Sequence, residues 1–196
     1  MSAALDDLPA TFTTHGARDL GWHPRDLYHL RDSGDVYELS RGVYRRADAP
    51  TPSWPDLLAV GTRIPRGIVC CVSALVVHGL TDEIPGAVQV AVARTQRPPR
   101  IDHPPVEVFR FADDTFELGL SSVEVAPGES TRIYSAERTV IDMMRLRRRL
   151  GELLALGALR RYLRRRNARP GELLSMARSL NVLGPVRMAL DVASAE

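Results

Sequence analysis

The chain has 196 residues, 44% of them apolar, and a formal charge of +2. That is long enough for one or two domains with a real core and excludes wholesale disorder. No apolar run reaches the roughly 18 residues that span a bilayer, and the only cysteines, Cys70 and Cys71, are neighbours without a CxxC spacing. The expectation is therefore a soluble, cytoplasmic protein with no zinc site, no disulfide framework and no membrane partner. The start, MSAALDDLPATF, is acidic and lacks the apolar core of a signal peptide. All 26 basic residues are arginine. A chain without lysine has no lysine base, Schiff-base former or P-loop lysine.

In chain order, PATFTTHGARDLG predicts a helix that starts after Thr13 or Thr14, capped by threonine and ended by Gly21. Phe12, Ala17 and Leu20 are its expected inner face. A second helix begins at His23-Pro24, with proline at the first helical position, and stops at Ser33-Gly34. Leu27 and Leu30 point inward. VYELSRGVYRR then reads as two short strands about Ser-Arg-Gly. Two helices at a tight junction followed by a hairpin form a winged helix-turn-helix pattern.

ADAPTPSWP, from Ala47 to Pro55, has three prolines and reads as a linker. The expected division is a DNA-binding unit over 1–48, a linker over 49–55 and a second domain over 56–196. Pro55 opens a helix through Asp56–Thr62, and VSALVVHGL predicts another, with Ser73 as cap and Gly79 as stop. Short β-branched runs follow at Val88–Ala93, Val106–Phe111, Thr115–Leu118, Ser121–Val125 and Thr131–Tyr134. From Ser135 on, four helical segments are separated by Gly151, Asn167–Pro170 and Asn181–Gly184. The fold class is thus α+β: an N-terminal winged helix-turn-helix, then a mixed α/β domain with a small sheet and a helical C-terminus.

On the second helix, the face opposite Leu27 and Leu30 holds Arg25, Tyr28, His29 and Asp32. Arginine reads guanine through O6 and N7, His29 can donate to a base or a phosphate, and Tyr28 can stack. His23 belongs to the same end of the helix. Thr13 and Thr14 offer hydroxyls and amides to a phosphate, and Arg41, Arg45 and Arg46 on the hairpin offer charge to the backbone. Against this, Met1–Ala47 carries six arginines and seven carboxylates, a net of −1. The residues alone leave a DNA reader and a protein-docking module both open.

A second basic feature lies between Arg138 and Arg169. Eleven arginines face only Asp142 and Glu152 there, a net of +9 over 32 residues. Leu156, Leu159 and Leu163 set an inner stripe. The expected basic surface for nucleic acid or an acidic partner is Arg145, Arg148, Arg149, Arg160, Arg161, Arg164 and Arg165. Arg138 and Asp142 pair at i,i+4, and His78 reads as a helix-terminus or core residue. Asp113 and Asp114 sit in a turn with no further metal ligands. No phosphate loop, nucleophile elbow or HExxH motif is present, so no catalytic residue and no cofactor is expected.

Three stretches taken together resemble a known family. They are FTTHGARDLGWHPRDLYHLRDSGDVYELSRGVYRR, VSALVVHGLTDEIP and RIYSAERTVIDMMRLRRRLGELLALGALRRYLRRR. Their order and spacing, from Leu8 to about Ala193, resemble the AbiEi-family antitoxins of type IV toxin–antitoxin systems. The resemblance implies a winged helix that binds inverted repeats in its own promoter and represses the operon, with the wing motif on Arg41–Tyr44. It implies a C-terminal domain that counteracts a nucleotidyltransferase toxin, and it carries no toxin-contact motif to transfer. The alternative is a docking and neutralisation module that never touches DNA. Asp26, Asp32 and Asp35 make the recognition region less basic than the resemblance leads one to expect of a DNA reader.

Overall fold

The computed structural model describes residues 5–194, and side chains through Val192. Met1–Ala4, the start of the segment read as no signal peptide, lie outside the described residues. The chain groups into two compact units that interleave along the sequence. The first takes Met1–Arg66, Pro98–Val106 and Val123–Thr131; the second takes Gly67–Arg97, Glu107–Ser122 and Arg132–Glu196.

The first unit opens with strand β1 (Thr11–Thr13), helix α1 (Thr14–Asp19) and helix α2 (Pro24–Ser33). The wing follows as β2 (Val36–Ser40) and β3 (Val43–Arg46), and β1 completes a sheet of order β1-β3-β2. Thr13 caps α1 by accepting the Gly16 amide at 3.0 Å. Helix α2 starts on a capping box, with His23 Nδ1 accepting the Arg25 amide and Asp26 accepting the His23 amide. Gly42 turns the wing with φ +75°, where a β-carbon would be strained. The core is Leu8, Phe12, Ala17, Trp22, Leu27, Val36 and Tyr44, with Leu30 packed against it. Phe12 lies on β1 and stacks on Tyr44, directly across the register. Leu20 departs from the expected inner face: it is 49% exposed, because α1 ends before it and Trp22 fills the space.

Strand β3 is buried on both faces. Helix α3 (Pro55–Arg63) packs against β2 and β3. The segment read as a linker is pinned, since the Pro50 carbonyl accepts from Arg45 and the Trp54 amide donates to Val125.

In a second sheet β4 (Ile68–Val69) pairs antiparallel to β5 (Val88–Ala93) and parallel to β8 (Glu129–Tyr134). With β6 (Val106–Phe111) and β7 (Leu120–Ala126) the sheet order is β6-β5-β4-β8-β7. Helix α4 (Cys71–Val77) starts after Cys70, not after Ser73, and Cys70 makes no capping bond; the Val72 amide donates to the Gln89 side chain instead. Ser73 is buried one turn further in, where its hydroxyl accepts the Gln89 amide at 2.9 Å. Both cysteines are buried core residues. The expected strand at Thr115–Leu118 is instead a short 3-10 turn at Asp113–Thr115 and a bend, because Arg138 takes the Thr115 and Leu118 carbonyls.

The C-terminal helices are α5 (Ala136–Arg145), α6 (Arg147–Leu150), α7 (Glu152–Leu163), α8 (Pro170–Ser179) and α9 (Leu183–Ser194). Helix α5 is central, packing on α4, α7, α8 and α9. It starts on a Ser135 cap and is buried from Glu137 to Met144. No helix of the described residues is long and apolar enough to cross a membrane.

Candidate nucleic-acid interface

Helix α2 divides as its periodicity predicts. Leu27 is buried, while Arg25, Tyr28, His29 and Asp32 are exposed on the other side. The capping box makes His23 Nδ1 an acceptor, so the ring proton sits on Nε2 and is available to a ligand. Arg31 pairs with Asp32 at 3.0 Å and lies 5.2 Å over the Tyr28 ring. The available outward set is Arg25, Tyr28 and His29. Arg41 is exposed at the wing turn, which is tied to the start of α1 by the Thr14 amide donating to Gly42 at 3.0 Å. The Thr13 hydroxyl is occupied as the helix cap, and that of Thr14 points to the Gly42 carbonyl at 3.5 Å.

Two expected phosphate contacts are corrected. Arg45 is 0% exposed. It donates to Thr11 Oγ1, to the Pro50 carbonyl and to Glu129, so its charge is paired inside the first unit, while its buried Nε has no partner among the described residues. Strand alternation explains this: Tyr44 faces the helices, so Arg45 faces the opposite, covered side. Arg46 is held by Asp6 and Asp48 and by the carbonyls of Leu5 and Leu8. Its surroundings push its pKa up, led by the Asp48 hydrogen bond.

The arginine belt of the second unit is also more committed than its sequence suggests. Arg145 pairs with Asp142 and lies 4.6 Å over Phe111; Arg149 pairs with Glu107 and lies 4.4 Å over Phe109. Arg161 forks onto Asp82, and Arg165 donates to the His78 carbonyl. Arg145 and Arg165 are partly buried in these contacts, whereas Arg149 and Arg161 stay exposed within their pairs. The acceptors of Arg149, Arg161 and Arg165 come from distant parts of the chain, which a local charge count cannot see; that of Arg145 is Asp142, three residues away. Arg148 and Arg164 remain exposed with no ion pair among the described residues, and Arg160, one turn before Arg164, is exposed as well. No group of described residues could hold a metal ion.

Comparison with known proteins decides the family. Residues 4–47 match the family described as a transcriptional regulator, AbiEi antitoxin, and residues 68–196 match the AbiEi antitoxin C-terminal domain. The chain belongs to the AbiEi antitoxin family. Its fold is similar to the crystal structure of the RV2827C protein from Mycobacterium tuberculosis, with a TM-score of 0.50 and 14% identity over 95% of this chain and 77% of that one. No curated protein matches the sequence.

The two C-terminal motifs of this AbiEi antitoxin are structural. In ERTVID, Arg138 and Asp142 are fully buried and paired at 2.9 Å. The Arg138 guanidinium lies 4.2 Å over Tyr134 and holds the turn carbonyls of Thr115 and Leu118. Burial pushes the Asp142 carboxyl up, and the guanidiniums of Arg138 and Arg145 oppose that. Glu137 accepts from Tyr162 at 2.8 Å and Arg169 at 3.0 Å. Burial pushes it up, but these bonds and its backbone contacts outweigh burial and hold its carboxyl low. In SALVVHGL, His78 caps α4 and donates from Nε2 to the Tyr134 carbonyl at 2.7 Å. Tyr162 was the residue least visible in sequence. It is buried between arginines in the chain, and only its one-turn spacing from Leu159 marks it as inward.

Proposed function

We propose that this chain is the antitoxin of a type IV toxin–antitoxin system. It works in the cytoplasm by binding rather than by catalysis and needs no cofactor. Its winged helix, residues 1–48, binds inverted repeats in its own promoter and represses the operon. The domain over 56–196 counteracts a nucleotidyltransferase toxin. The observation that carries the DNA reading is α2. Arg25, Tyr28 and His29 stand exposed on the face opposite buried Leu27, with His23 at its start and Arg41 on the wing. A bidentate arginine supplies base discrimination, and the wing supplies register on the backbone.

The test is binding of the full chain to a duplex from immediately upstream of its gene, followed at increasing salt. Specific, salt-sensitive binding that weakens in Arg25→Ala supports the reading; absence of any salt-dependent binding sinks the repressor half. Co-expression with a nucleotidyltransferase toxin, sought in the gene beside this one, tests the other half through growth rescue. A second reading, neutralisation without DNA contact, draws on the internal use of Arg45 and Arg46. It requires growth rescue with no operator binding.

A further inference from the structure

Beside the wing turn the first unit has a cavity of about 380 Å³, walled by Ser40, Arg41, Gly42, Arg63, Arg100 and Asp102. Arg63 ends α3, and Arg100 belongs to the 98–106 segment. This segment is fastened to the wing. Ser40, buried at the end of β2, donates to the His103 carbonyl at 2.6 Å, and Arg63 donates to the Arg100 carbonyl at 3.4 Å. Three guanidiniums therefore border one cavity against a single carboxylate. Asp102 takes the Arg100 Nε at 3.1 Å, in a pair whose arginine side chain is 92% exposed, so solvent screens it heavily. Arg41 and Arg63 have no carboxylate in ion-pair range among the described residues. The Nε of Arg63 is buried with no hydrogen-bond partner among them.

Elsewhere in this unit the arginines of the wing strand are matched by acids, as Arg45 is by Glu129 and Arg46 by Asp6 and Asp48. A cluster with two guanidiniums in excess of its carboxylate, on an open cavity, is suited to an anion, and a planar guanidinium fork suits a phosphate. The wing turn is tied to the start of α1, α1 packs on α2, and the segment is tied to the wing, so the cavity belongs to the same packed unit as the exposed face of α2.

We propose that this cavity clips a DNA backbone phosphate, with Arg63 and Arg100 acting alongside Arg41. The proposal rests on the DNA-binding reading above and extends the interface to two residues outside the winged helix. Such contacts position the protein and carry no sequence information.

The experiment measures anisotropy of two labelled duplexes, one from upstream of the gene and one unrelated of equal length. The full-length wild type, Arg100→Ala, Arg63→Ala with Arg100→Ala, and Arg25→Ala are compared across a salt series. The double variant is expected to lose the same factor on both duplexes. The slope of log affinity against log salt should fall by about 2, so that between about 50 and 200 mM salt the wild type loses roughly tenfold more affinity than the variant does. Arg25→Ala should lose affinity chiefly for the upstream duplex. Arg100→Glu, a change at an exposed side chain, keeps the test open if the Arg63 variant folds poorly; it should weaken both duplexes further. Wild-type affinity and slope in the double variant and in Arg100→Glu, with Arg25→Ala impaired, overturn the clip and leave the reader intact. Failure of the wild type to bind either duplex removes both.

Discussion

Arg45 and Glu129 are 84 residues apart in the chain and form an ion pair at 2.5 Å. The guanidinium is fully buried, while the carboxylate keeps a partial view of water. Removing the carboxylate strands a buried charge. Glu129→Ala should destabilise the protein by about 3 kcal/mol, read by urea denaturation. Arg45→Gln should also lower stability while the folded protein keeps its salt dependence on DNA; a reduced slope in that variant would return Arg45 to the interface.

The acids of the recognition region have structural posts. Asp26 closes the capping box, Asp32 pairs with Arg31, Asp35 accepts the Ser33 hydroxyl and Glu38 accepts the Gly42 amide. Asp26→Ala should therefore cost about 1 kcal/mol of stability. It should leave DNA affinity unchanged or raised, since a negative charge leaves the reading face. A clear loss of affinity in fully folded Asp26→Ala contradicts this account.

His78 gives a pH dependence with a defined sign. Burial holds its pKa below the ordinary histidine value; the Tyr134 carbonyl opposes this, Arg165 reinforces it, and Glu137 opposes it. The unfolded chain binds the proton more readily. The stability from neutral His78 is full above the ordinary histidine pKa and is lost as pH falls through the depressed folded value. Glu137, also held low, adds the same sign at more acid pH. Stability measured from pH 8 to pH 5 should decline, and His78→Asn should flatten that decline while lowering the plateau.

Gly61 lies in α3 where a β-carbon would sit 2.2 Å from Thr131 Oγ1 and 2.9 Å from its Cβ. Gly61→Ala should cost about 1–3 kcal/mol through overpacking. Thr131→Ala should restore part of that in the double variant, because it removes the nearer atom. Additive losses in a double-mutant cycle count against the contact.

Local signals carried much of the fold. The cap at Thr13, the proline openings of α2 and α3, and the strands Val88–Ala93 and Val106–Phe111 were legible from residue type and period. The short strand β4 was not, because two residues inside an apolar run carry no period. Leu20 and Ser73 failed because one turn of helix is decided by where the chain must go next. The outward set on α2 was legible, since helical geometry needs only one buried residue to orient it. The fates of Arg45, Arg149 and Arg161 were not, because Glu129, Glu107 and Asp82 are distant in sequence.

The interleaving of the first unit also bears on how the protein is made. Its wing sheet is covered by α3, braced by residues 98–106 and neutralised at Arg45 by Glu129. On the ribosome, the winged helix is complete in sequence long before these partners emerge. Until Glu129 has left the exit tunnel, the nascent chain carries Arg45 without its counter-charge. Genetic separation meets the same obstacle: a fragment ending at residue 48 lacks the covering layer, and deletion of residues 1–48 strips Glu129 of its cation.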